Sequence, residues 1–317
     1  MRRFLLPLAV ALAVSVLPSL LAQTPAPAAG NAPAVGGQAP APGPGANGAG
    51  AGGPGAAGRG GRGTGRAQTP PPPPLTCTSP ATPTDNIVPA VLAKDGFKAI
   101  FNGKDLTGWQ ALIDLGTLKL GEGLDPDELK PLSPAEKAQK QKESNDVYLK
   151  HWSVVDGILI FDGVVADKLT PHVEKGGQNL QTVKEYDDVD LYVDWCIEQG
   201  ADSGVYLKNS PQIQMWFNNV GSGGLFNNTI NTAGRNPLVV ADNPAERWNT
   251  FHIIMQGDDM TTVWLNGKLV VDNVKMDNYW TIKKKQPERG LAPRGNIELQ
   301  YHGHRLYWKN IYLKELN

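Results

Sequence analysis

The stretch SPQIQMWFNN, residues 210–219, puts two amides and an indole on one side of what reads as a β-strand. Side chains alternate along an extended chain, so Gln212, Gln214 and Trp216 share one face while Ile213, Met215 and Phe217 share the other. Two more stretches repeat the mixture. DSGVYLK sets Tyr206 and Lys208 opposite Val205 and Leu207, and NIELQYH sets Glu298, Gln300 and His302 opposite Ile297, Leu299 and Tyr301. Amides and carboxylates match the paired donors and acceptors of vicinal hydroxyls, and an aromatic ring covers the apolar face of a pyranose. A curved sheet lined in this way reads as a sugar groove. The competing reading is a polar outer face that merely meets water; Trp216, an expensive ring to leave in solvent, weighs against it.

The same strands carry groups that move protons. His302 is the one groove residue whose unperturbed titration falls near neutrality, and Glu298 and Asp202 are the alternative bases. His302-Gly303-His304 offers two imidazoles on one strand face, but no third metal ligand is identifiable. No cofactor is therefore expected, and a divalent cation is unsupported by any ligand motif. GSGGLFNN at 221–228 lacks the Lys-Ser/Thr of a phosphate loop and reads as a rim loop from which Asn227 and Asn228 reach a sugar. No Ser-His-Asp arrangement is recognisable from residue order.

The elements that must hold these residues are mostly strands. FKAIF runs into Asn102-Gly103, HWSVV and ILIFDG flank Asp156-Gly157, and TTVWL and KLVVD flank Asn266-Gly267. Asn-Gly and Asp-Gly tolerate the positive φ of a tight hairpin, so these dipeptides are strong hairpin signals. With DLYVDWCI, NTFHIIMQ and LYWKNIYLKEL they predict an all-β, two-sheet antiparallel sandwich or barrel. One helix is predicted over about 133–150, where Ser133-Pro134-Ala135-Glu136 forms a capping box ahead of a charged surface insertion.

Ahead of the strands lie two segments of different character. Residues 1–22 have the basic start, apolar run and small-residue end of a signal peptide, which predicts a periplasmic or secreted protein. Residues 23–94 are largely Pro, Gly and Ala and read as a disordered tether. The domain is expected over 95–317. A formal net charge of −1 argues against a nucleic-acid surface, and beyond the export signal no membrane partner is expected. Cys77 falls in the tether and Cys196 in a strand, so no structural disulfide is expected between them.

In chain order, GFKAIFNGKDLTGW, HWSVVDGILIFDG, DSGVYLKNSPQIQMWF, GSGGLFNN, ERWNTFHIIMQGD, VWLNGKLVVDN, NYW and IELQYHGHRLYWKNIYLKEL resemble the 3-keto-disaccharide hydrolase-like domain family, also described as 3-keto-glucoside lyase/hydratase domains. The resemblance implies a concanavalin or laminin-G-like jelly roll and exported enzymes acting on glycosides oxidised at C3. It implies an upstream sugar 3-oxidoreductase that makes the ketone. It places Gln212, Gln214, Trp216, Gln300 and His302 in the family's motifs. For that chemistry the residues themselves make His302 the expected proton-transfer group, Glu298 or Asp202 the alternative base, and Lys208, Gln214 and Gln300 the expected enolate donors. A non-catalytic carbohydrate-binding module using the same face is the alternative. The chain departs from the family at Phe217, where Asp is frequent, and at Tyr301, where Asp or Asn is frequent.

Overall fold

The computed structural model describes Cys77 and residues 86–118, 120–164, 177–209, 212–229, 232–286 and 289–316. All of them fall in the unit Pro70–Asn317. The expected signal peptide, and the expected tether up to residue 85 apart from Cys77, lie outside the described residues.

The chain enters through α1 (Ala90–Lys94), β1 (Lys98–Ala99) and β2 (Trp109–Ala111), followed by α2 (Pro134–Tyr148). Next come β3 (Trp152–Val155), β4 (Ile158–Asp162), β5 (Leu180–Thr182), β6 (Val189–Ile197), β7 (Asp202–Tyr206) and β8 (Gln212–Trp216). β9 (Asn249–Gln256), β10 (Met260–Leu265), β11 (Lys268–Lys275), α3 (Tyr279–Lys284), β12 (Glu298–Leu299) and β13 (Arg305–Glu315) complete it. The strands form two antiparallel sheets, as the alternation predicts. The larger runs β11-β10-β9-β6-β13-β4-β3 with β1 on β13; the smaller runs β2-β5-β12-β7-β8. This is a jelly-roll sandwich.

Its core is made by the inward phase of each strand. Leu191, Val193, Trp195, Phe251, Ile253 and Met255 of the larger sheet share one apolar cluster with Val205, Ile213, Met215 and Leu299 of the smaller. Each large side chain so buried contributes about 1.5–3 kcal/mol. Two of the three hairpin signals hold: Asp156 and Asn266 have φ of 50° and 51° in the turns joining β3 to β4 and β10 to β11. Asn102-Gly103 is different. β1 pairs with β13 and β2 with β5, so this dipeptide joins the two sheets.

Helix α2 begins at the predicted capping box, where Ser133 Oγ accepts from Glu136 N and Glu136 accepts from Ser133 N. Its inner side fastens the chain by hydrogen bonds, since it has no apolar face to bury. Asn145 Oδ1 accepts from Ala111 N, Ser144 Oγ from Asp114 N, and Gln141 Nε2 donates to Ala111 O.

The expectation for the cysteines is overturned: Cys77 and Cys196 form a disulfide, with Cα atoms 6.0 Å apart. Alternation along β6 sends Trp195 and Ile197 into the core, which leaves Cys196 on the outer face of the larger sheet. There it meets Cys77 among Ile158, Ile160 and Tyr307. Packing also begins ahead of Asp95. Asn86 is buried, donates to Gly157 O at 2.8 Å and accepts from Asn310 N at 2.7 Å.

Candidate functional site

β7 and β8 supply a floor. Their register pairs Asp202 with Trp216, Gly204 with Gln214 and Tyr206 with Gln212. Ser203, Val205, Ile213 and Met215 are fully buried on the core side, so Asp202, Tyr206, Gln212 and Gln214 face outward. On that face lies a cavity of about 290 Å³, lined by these four residues with Leu120, Gly121, Glu122, Phe226, Asn227, Tyr279, Gln300 and His302. Seven of the ten residues singled out from the sequence therefore meet at one place: Asp202, Tyr206, Gln212, Gln214, Asn227, Gln300 and His302.

The amides of the floor form a chain. Gln212 Nε2 donates to Gln300 Oε1 and Gln214 Oε1, both at 2.8 Å, and Gln214 Nε2 donates to Asp202 Oδ1 at 2.6 Å. Tyr206 OH and Gln300 Nε2 donate to Gly121 O at 3.0 and 2.7 Å. Two glycines make this possible. A Cβ on Gly204 would lie 2.5 Å from Gln212 Cγ, so only glycine lets that side chain lie flat across the floor. A Cβ on Gly121, at φ +68°, would lie 2.8 Å from both Gln300 and His302. The second amide hydrogen of Gln214 has only a loose partner, Met215 O at 3.4 Å. The floor is thus preorganised and retains a donor.

Asp202 of β7 and His302, in the connection between β12 and β13, both line the cavity. Burial raises the Asp202 carboxyl, while the charge of His302, the Gln214 hydrogen bond and His304 pull it back. Burial pushes the Tyr206 phenol well up, which keeps it a neutral donor.

Three expected site residues sit elsewhere. Lys208 does not continue the alternation, because β7 ends at Tyr206 and Lys208 and Asn209 take φ of 50° and 60°. Its Nζ lies 3.0 Å from Asp259, 3.3 Å from Asp187 and 3.6 Å from Asp188. Burial lowers its pKa and these carboxylates more than restore it. Trp216 shares the face of the glutamines but donates its indole N–H to Gly221 O and sets its ring edge-on to Phe226. Glu298 also lies on the floor face, opposite Tyr206, but is fully buried. Asn179 and Asn209 each donate to it at 3.2 Å. Phe217 packs against the core cluster.

What covers Glu298 is the segment 112–132, a roof over part of the smaller sheet. Leu112, Ile113 and Leu124 form its own apolar cluster, and Gly123 lies against Glu298 and Tyr206. The roof is tied to α3 and the loop after it. Glu122 accepts from Tyr279 OH at 3.1 Å and pairs with Lys283; Asp125 pairs with Arg289 and Lys284. Sequence reasoning missed Glu122, Tyr279 and Phe226 as cavity residues. Phe226 was within reach as part of the rim loop, whereas Glu122 arrives from a loop with no local signature.

No group of three or more His, Cys, Asp or Glu among the described residues is placed to hold a metal ion. No helix among them is long and apolar enough to cross a membrane. An amide-floored cavity on the outer face of a jelly roll is a surface suited to sugar hydroxyls. The chain matches the model of the 3-keto-alpha-glucoside-1,2-lyase-like domain over residues 96–314, and it belongs to that family. No curated protein matches it. Among solved structures it is similar to a candidate glycosyl hydrolase from Parabacteroides distasonis ATCC 8503, at 23% identity and a TM-score of 0.48, over 74% of this chain and 100% of that one. It is also similar to a β-glucanase from Bacillus licheniformis (11%, TM-score 0.33, 53% and 83% covered). A third is the carbohydrate-binding module CBM66 from Bacillus subtilis (9%, TM-score 0.28, 43% and 81% covered).

Proposed function

We propose that the protein is exported and cleaves 3-keto-glycosides by elimination and hydration, releasing a 3-keto-sugar and the aglycone. The observation that carries this reading is the presence of His302 and Asp202 together on the amide-lined cavity of a chain from this family. A ketone at C3 acidifies the proton on C2. His302 removes that proton, and the nearby Asp202 carboxylate stabilises the imidazolium that forms. The electron pair moves into the C3 carbonyl as an enolate, which accepts the remaining Gln214 N–H. As the ketone reforms, the C1–O bond breaks and the imidazolium returns its proton to the leaving oxygen. Water then adds across the enone, hydroxyl to C1 and hydrogen to C2.

The Cys77–Cys196 disulfide supports export, because such bonds persist in oxidising compartments. The substrate requires a sugar 3-oxidoreductase upstream. The test is incubation with a 3-keto-glucoside and chromatography of the released aglycone and 3-keto-glucose. His302→Ala is expected to slow release by about 10²–10⁴-fold while binding persists. Full activity in that variant would remove the assignment. Binding without release by the wild type would make the cavity a non-catalytic carbohydrate-binding site, and no binding would sink both readings.

A further inference from the structure

The open cavity has two kinds of wall. Its floor is the chain of amides on β7, β8 and Gln300; its far flank is Leu120, Phe226 and Tyr279, with Glu122 among them. Leu225 bridges to Ile213, and Phe226 N donates to Gln212 O at 3.0 Å. Directly opposed residues share a face, so Phe226 continues the Tyr206–Gln212 row by one strand spacing, about 4.8 Å beyond Gln212. Leu120 lines the same flank and is 48% exposed. The row thus passes from amides suited to hydroxyls to an aromatic and aliphatic surface that is partly open to water.

Each ring on this flank carries a cation. Arg235 Cζ lies 4.3 Å from the Phe226 centroid, and Lys283 Nζ lies 5.3 Å from that of Tyr279. Neither cation lines the cavity, so each covers its ring from the other side. A cation draws the negative face of a ring towards itself, which leaves the cavity side suited to stacking an electron-rich ring. Polar partners are few here. Glu122 Oε1 receives the Tyr279 hydroxyl at 3.1 Å and pairs with Lys283, and Asn227 has a partner of its own. The second Glu122 oxygen makes no hydrogen bond among the described residues. The flank therefore offers an acceptor for one hydroxyl, where a hexose would bring several to be paired.

Proton supply points the same way. Tyr279 commits its hydroxyl proton to Glu122, and burial raises its pKa. Glu122 is an acceptor in both of its contacts. The leaving oxygen is left with the imidazolium of His302 as its acid. A phenol departs as a much weaker base than a sugar alcohol and needs that proton less.

We propose that the leaving group taken here is a phenol with a second hydroxyl, its ring against Phe226 and Leu120 and that hydroxyl on Glu122. This rests on the reading that the amide floor holds the 3-keto ring. The C1–O bond breaks, and the phenol oxygen leaves with the electron pair and takes the imidazolium proton.

The test uses the full chain and uncleavable probes in which CH₂ replaces the glycosidic oxygen of 3-keto-glucose, in both anomers. They bear methyl, 4-hydroxyphenyl, phenyl, cyclohexyl or glucose. By calorimetry the wild type is expected to bind the 4-hydroxyphenyl probe about tenfold more tightly than the glucose probe. Its advantage over cyclohexyl is expected to be about fivefold, and over phenyl about threefold. Phe226→Leu keeps an apolar side chain but removes the ring. It is expected to erase the advantage over cyclohexyl and to change methyl-probe affinity less than about twofold. Equal affinities for the 4-hydroxyphenyl probe and either the glucose or the cyclohexyl probe would overturn the proposal. So would a ring advantage that survives Phe226→Leu, and equal phenyl and 4-hydroxyphenyl affinities would remove the Glu122 contact. In each case binding of the methyl probe leaves the 3-keto reading intact, whereas binding of no probe would overturn the sugar reading itself. If Phe226→Leu fails to fold, the wild-type order of affinities decides the matter.

Discussion

Arg289→Met tests whether charge holds the roof in place. The Asp125 side chain is fully buried and receives Arg289 Nη1 at 2.9 Å, Arg289 Nη2 at 2.5 Å and Lys284 Nζ at 2.5 Å. Burial by itself would raise this carboxyl. The hydrogen bonds from Arg289, Lys284 and the Asp127 backbone outweigh it and bring the pKa down to about 2. Relative to an unfolded value of ~3.9, the difference corresponds to roughly 2–3 kcal/mol of stability. Because the folded pKa is the lower one, this contribution is complete above about pH 4–5 and is lost as pH falls through about 2. Lys284 survives the substitution and Arg289 is 19% exposed, so the expected loss at pH 7 is smaller, about 1.5–2.5 kcal/mol. Urea unfolding of wild type and Arg289→Met, followed by tryptophan fluorescence at pH 7 and pH 2.5, measures it. The gap between the two proteins should shrink by at least half at the lower pH. A gap of equal size at both would refute the reasoning and assign the effect to packing of the arginine stem.

Glu298→Gln tests the buried carboxyl. Burial raises it to about 7, with Asn179 and Asn209 pulling it back. The folded pKa is the higher one here, so stability falls as pH rises from about 4 to 7. The variant should gain about 1–3 kcal/mol at pH 8 in denaturant titrations, and a gain that persists at pH 4 would contradict this cause. Cys77→Ser opens a cross-link spanning 119 residues and is expected to cost about 3–5 kcal/mol. Dithiothreitol should impose a matching loss on the wild type and none on the variant.

The strands and their two faces were legible because alternation is local: in an extended chain, Gln212 and Gln214 must point away from Ile213 and Met215. The same property made the sandwich, the Asp156-Gly157 and Asn266-Gly267 hairpins and the capped helix at Ser133 readable. It failed wherever a strand stopped. Lys208 was assigned by carrying alternation two residues past the end of β7 into a left-handed turn. Asn102-Gly103 has the dipeptide of a hairpin, but the strands on either side belong to different sheets.

By itself, then, the sequence determined which side chains face outward on the smaller sheet, and hence that amides, a carboxylate, a phenol and an imidazole lie on one surface. Only the tertiary structure decided which of them are open. Gly121 and Gly123 come from a loop far from Glu298 and His302 in sequence, and that loop is fixed by charges still further along the chain, at Lys283, Lys284 and Arg289. Such covering depends on contacts between distant segments, which no short-range periodicity records. The same reason hid the meeting of Cys77 with Cys196: alternation turned Cys196 outward, but only packing brought the other thiol across the outer face of the larger sheet.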